Sequence, residues 1–68
     1  MKPMTYREVA RCLMDNGFVV DHVTGSHYIF YNPGTGVSIP VPRHGNRTMK
    51  QGTLNGIFTQ AGIPKPRR

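Results

Sequence analysis

The residues best suited to chemistry in this 68-residue chain lie in Thr24-Gly25-Ser26-His27-Tyr28-Ile29-Phe30. The stretch reads as a turn running into a strand, with His27 at the first strand position. Histidine has an unperturbed pKa of ~6.5 and so exchanges protons near neutral pH. Gly25 admits φ > 0 without steric cost. A turn of that kind can bring main-chain N–H groups close to a phosphate, with the Ser26 hydroxyl beside them. The heptad can therefore hold an anion and move a proton. His22 is a second candidate, almost opposite His27 in a hairpin closed around Thr24-Gly25, although its ordinary reading as an exposed strand residue outweighs that role. His44 sits in a basic loop, Arg43-His44-Gly45-Asn46-Arg47-Thr48. It reads first as an exposed residue and second as a phosphate or partner contact.

Composition narrows the partners. Nine Lys/Arg stand against three acids, for a net charge of +6 and a pI near 10.3. So large an excess on so small a chain points to a polyanion, with nucleic acid ahead of an anionic membrane. No long basic amphipathic helix supports a membrane role. Arg43, Arg47 and Lys50 are candidate phosphate contacts, with Arg7 and Arg11 behind them. As a set they carry more weight than singly. The single cysteine, Cys12, excludes an internal disulfide and fits a reducing compartment. The histidines do not fall at a zinc-ligand spacing with cysteines, so neither metal nor cofactor is expected. No apolar run approaches the ~20 residues of a membrane span, and the N-terminus turns polar at once. A soluble cytoplasmic protein is expected.

The elements that must position these residues are legible as signals along the chain. Thr5-Tyr6-Arg7-Glu8 has the form of a capping box. It opens a helix to about Asp15 with Tyr6, Val9, Ala10 and Leu13 as its apolar stripe. Asn16-Gly17-Phe18 is its stop. Met14 and Cys12 are expected to be partly buried. Phe18–Val23, His27–Tyr31 and Val37–Pro42 read as three strands of an antiparallel meander, and the last should be an edge or end early because Pro40 and Pro42 lack ladder donors. A second helix starts near Lys50 or Gln51, with Thr48 and Gln51 as a possible capping box, and carries Leu54, Ile57, Phe58 and Ala61 inward. Gly62 should end it, with Ile63 as hydrophobic partner. One α+β domain over residues 1–63 is expected, both helices lying on one face of the sheet, followed by a disordered basic tail at 64–68. Strand alternation with Phe30 inward turns Tyr28 inward and His27, Ile29 and Tyr31 outward. Tyr31 could then stack bases.

Several of these features recur together in one family. Gly25-Ser26-His27-x-x-Phe30, the Asn16-Gly17-Phe18 helix end, the proline-rich third strand and Gly52-Thr53-Leu54-x-x-Ile57-x-x-Gln60-Ala61-Gly62-Ile63 resemble the HicA toxins over residues 4 to 63. Gly-Ser-His alone is a weak signal, but its combination with the C-terminal motif at this length is fairly specific. The resemblance implies a double-stranded-RNA-binding-domain-like (dsRBD-like) α-β-β-β-α fold. It implies an mRNA endoribonuclease of a toxin–antitoxin pair, held by a HicB-type antitoxin that masks the active site. It places the catalytic role on His27, with Gly25 and Ser26 adjoining. One departure is Gln51, where the family often carries proline, and proline at a helix start is replaceable. Cleaving RNA without a metal requires deprotonating a 2′-OH, stabilising the phosphorane charge and protonating the 5′-oxygen, and a histidine can serve in either proton transfer. The alternatives are a non-catalytic RNA-binding module of the same fold and a basic interaction protein with an acidic partner. Only the Gly25-Ser26-His27 constellation separates the first reading from these.

Overall fold

The computed structural model describes residues 2–64, so of the tail expected at 64–68 all but Pro64 lies outside the described residues. The order is α1 (Tyr6–Asp15), β1 (Val19–Thr24), β2 (His27–Asn32), β3 (Val37–Pro42) and α2 (Gln51–Ala61). The strands form one antiparallel sheet in the order β1-β2-β3. This is the expected α+β architecture.

Helix α1 starts where the sequence directs. Thr5 accepts from the Glu8 N–H and the Glu8 carboxylate accepts from the Thr5 N–H, both parts of the capping box. It ends with the Phe18 N–H donating to the Leu13 carbonyl at 3.0 Å and the Gly17 N–H to Met14 at 3.1 Å. That is the Schellman arrangement, with Gly17 at φ +90° and Phe18 folded onto the core. A Cβ on Gly17 would stand 3.4 Å from the Asn32 amide nitrogen, and that amide donates to the Asn16 carbonyl. Gly17→Ala is therefore expected to cost about 1–2 kcal/mol through the left-handed backbone alone. At roughly 4–8 °C per kcal/mol, a thermal melt reads this directly.

Helix α2 starts at Gln51, where the sequence places it, but without the expected cap. Its N-cap is Lys50, with no side-chain capping bond, so the box from Thr48 to Gln51 does not form. Thr48 instead bridges Thr5, and the Met49 N–H donates to the Met4 carbonyl at 2.8 Å. Pairing with the extended lead-in to α1 draws Thr48 out of capping position. The C-terminus of α2 follows the sequence: Gly62 takes φ 70°, ψ 26°, and the Ile63 N–H donates to the Phe58 carbonyl.

The core unites the two helical stripes with one sheet face. Val9, Leu13, Leu54 and Phe58 close over Phe30, Ile39 and Val41, all essentially inaccessible. Tyr28 and Cys12 pack half-buried against this cluster, while Met14, expected to be partly buried, is exposed. Register fixes the opposite face. His27 pairs with Thr24 and Pro42, Ile29 with His22 and Pro40, and Tyr31 with Val19 and Ser38. Paired residues share a face, so these nine side chains lie on the side away from the helices. Pro40 and Pro42 are tolerable because β3 is an edge. The Arg43 N–H donates to the Ser26 carbonyl, so by alternation the proline nitrogens face away from β2.

Strand β1 contains a bulge at Asp21, between the Val20–Phe30 and His22–Ile29 pairs. Regular pairing from the turn would seat Asp21 opposite Phe30, with its carboxylate toward the apolar layer. The extra residue moves Val20 there instead. The helices leave β1 uncovered: all six of its residues are exposed, Val19, Val20 and Val23 among them.

Candidate functional site

Gly25 and Ser26 form a two-residue hairpin loop. Gly25 has φ +58° and Ser26 a negative φ, the residue order used by Gly-X hairpin loops. Space around Gly25 is open, since an added Cβ would meet nothing within 4 Å. The loop delivers His27 to the start of β2, exposed and on the open sheet face.

The basic loop reaches the same end of the sheet because β3 runs antiparallel to β2 and finishes beside His27. It is tied down at three points: Arg43 to Ser26, Met49 to Met4, and a turn closed by the Arg47 N–H on the His44 carbonyl. The Arg43 guanidinium stacks over Tyr6 at 4.9 Å and over Tyr28 at 5.3 Å, and donates to the Tyr28 hydroxyl at 3.2 Å. Such cation–π contacts each contribute ~0.5–1 kcal/mol at exposed sites. They hold Arg43 on the helix side of the sheet. Burial raises the Tyr6 phenol above its ordinary pKa, Arg43 opposes that shift, and Tyr28 adds to it. In Cys12 burial likewise raises the thiol, with the Asp15 and Glu8 carboxylates adding and Arg11 opposing. The thiolate is thereby disfavoured.

His44, Arg47 and Lys50 line an open hollow of about 420 Å³ together with Tyr6, Pro42 and Thr53. The first turn of α2 adjoins it and has neither an acidic residue nor a side-chain cap. Uncapped N–H groups and the helix dipole therefore add positive potential to that of Arg47 and Lys50. Arg43 lines a second hollow, of about 390 Å³, against Arg7, Arg11 and Met14 on α1.

The structure thus brings His27, Gly25, Ser26, Arg43, Arg47 and Lys50 to one end of the sheet, but not into one pocket. His27 lies on the open face and lines neither hollow, Arg43 is on the helix side, and Arg47 and Lys50 are at the end between them. His22 is not directly opposite His27. Thr24 holds that place, and His22 sits one same-face position further along β1, diagonal to His27. Its Nδ1 lies 2.8 Å from the Asp21 carboxylate. Sequence reasoning assigned Asp21 nothing. The available signal was its phase, which in a regular strand would point it at the core. Tyr6, the platform under Arg43, shows in the sequence only as a member of the helical stripe. Among the described residues, no group of three or more His, Cys, Asp or Glu is placed to hold a metal ion, and no helix is long and apolar enough to cross a membrane.

Fold and site together define a small basic α-β-β-β-α protein with its histidine pair on the open sheet face and a cationic loop at the same end. A family model described as the HicA toxin of bacterial toxin–antitoxin systems matches residues 6–63, and the chain belongs to that family. Membership implies a toxin role and a pairing with an antitoxin. No curated protein matches the chain.

Proposed function

We propose that this toxin is a metal-independent endoribonuclease that cleaves mRNA in the cytoplasm, with His27 as the proton-transfer residue. The observation that supports it most is the placement of an exposed histidine, on an uncovered sheet face, beside a pinned cationic loop in a chain of net charge +6. A phosphodiester laid across the end of the sheet meets the imidazole on one side and Arg47 and Lys50 on the other. His27 takes the 2′-OH proton, and the cations and the Ser26 turn stabilise the charge developing on phosphorus. A HicB-type antitoxin would act by covering this end of the sheet.

The purified chain is expected to cleave a single-stranded RNA in the presence of EDTA and to leave 2′,3′-cyclic phosphate and 5′-hydroxyl ends. RNA binding without cleavage would favour the non-catalytic module instead. Removing Arg47 or Lys50 should weaken binding evenly across sequences. Each substitution should also reduce the slope of log K against log salt by about 0.7 for single strands, which a fluorescence-anisotropy salt series measures.

A further inference from the structure

The open sheet face carries a second histidine. We infer that His22, positioned by Asp21, is a catalytic residue that works with His27, so that cleavage uses a histidine pair rather than one histidine. This rests on the ribonuclease reading of the same site and deepens it.

Three observations converge. His22 and His27 share the open face at a diagonal across β1 and β2, a relation that separates residues by about 7–8 Å. Two side chains standing off one face at that backbone separation can both reach a phosphate laid over the two strands, each with a hydrogen bond to a different oxygen. The second observation is the contact between the His22 Nδ1 and the Asp21 carboxylate at 2.8 Å. Consecutive residues of a regular strand point to opposite faces and cannot make it. The bulge at Asp21 is what brings these chain neighbours together, and re-aiming a side chain is a use bulges serve beside active sites. The third is the consequence for the ring. Nδ1–H donates to the carboxylate, so Nε2 is left as the reactive nitrogen. When Nε2 also carries a proton, the ring keeps that bond and Nε2–H is free to donate, as a general acid must. The groups facing His22 are Asp21 beside it and His27 across the strand pair, with Tyr31 beyond Ile29 on the same face.

The roles divide accordingly. His27 Nε2 takes the proton of the 2′-OH as the 2′-oxygen bonds to phosphorus. The P–O5′ bond breaks, and the departing 5′-oxygen takes the proton from His22 Nε2. The products are a 2′,3′-cyclic phosphate and a 5′-hydroxyl end. One proton has moved from His22 to the leaving group and one from the substrate to His27, and exchange with water resets the pair.

The test uses the full chain, an RNA oligonucleotide, and the same oligonucleotide with sulfur in place of the scissile 5′-oxygen. Sulfur leaves without protonation, so it bypasses a general acid. On the oxygen substrate His22→Ala is expected to lose 10²–10⁴-fold in kcat/KM. On the sulfur substrate it should recover to within about tenfold of the wild type, whereas His27→Ala should recover on neither. Asp21→Asn should retain RNA affinity and lower the rate on oxygen but not on sulfur. His22→Gln serves as a second variant, with circular dichroism as the folding control. Cleavage of the oxygen substrate by His22→Ala at the wild-type rate, with His27→Ala inert, overturns this inference alone. So does a loss in His22→Ala that sulfur fails to rescue. A wild type that cleaves nothing overturns the ribonuclease reading together with it.

Discussion

His27→Ala is expected to abolish RNA cleavage while leaving the fold intact. The expectation has two separable parts. The first is structural: His27 is exposed at the first position of β2 and belongs to the face the helices do not touch. Exposed substitutions away from caps, cores and special backbone positions change stability by within about ±0.5 kcal/mol. Gly25, which does occupy a special backbone position, is untouched. The second is chemical: removing a positioned proton-transfer group typically costs 10²–10⁴-fold. Initial rates on an end-labelled RNA measure the loss, and circular dichroism with a thermal melt confirms the fold. Affinity should change little, because the proposed site puts phosphate attraction on Arg47, Lys50 and the rest of the +6 charge. If the variant cleaves as fast as the wild type, the proton transfer belongs elsewhere and the catalytic assignment is lost.

How much of this site the sequence discloses depends on whether the determining interaction is local. The Thr5–Glu8 box, the Asn16-Gly17-Phe18 stop, the Gly62 stop and the bounds of β3 are set by residues within a turn of one another, and each forms as read. The outward direction of His27 also follows, because one buried residue, Phe30, fixes the phase of the whole strand. The misread features turn on distant partners. Thr48 has the residue type and spacing of an N-cap, yet Thr5, far away in sequence, claims it for a bridge. Exposure of Met14, expected to be partly buried, depends on where the two helices settle over β2 and β3, which no local pattern encodes; the same placement leaves β1 uncovered. His22 falls diagonal rather than nearly opposite because Thr24, not His22, closes the two-residue loop against His27. Its bond to Asp21 needs a bulge that only the conflict between a carboxylate phase and the Phe30 layer reveals.

That same layer sets the largest expected stability effect. Phe30 is fully buried at the centre of β2, opposite Ile39 on β3 and Val20 on β1, with the Tyr6 ring 6.2 Å from its own. Truncating a buried phenylalanine to alanine costs about 3–5 kcal/mol, because the surroundings collapse only partly into the space. A chain of 68 residues has about 3–10 kcal/mol to lose, at 0.05–0.15 kcal/mol per residue. Its core is a single layer with no disulfide to hold the unfolded ensemble together. Phe30→Ala is thus expected to unfold a large fraction of the protein at 37 °C, visible as lost secondary structure in the circular dichroism spectrum and a collapsed denaturation midpoint. Phe30→Leu, which keeps most of the volume, should remain folded. His27 and Phe30 stand three residues apart on one strand and face opposite ways. Alanine at the first should remove cleavage and spare the fold. At the second, it should remove both together, since the hairpin that aims His27 exists only while Phe30 holds β2 against the helices. A folded, fully active Phe30→Ala protein would show that the sheet is held by something other than this layer.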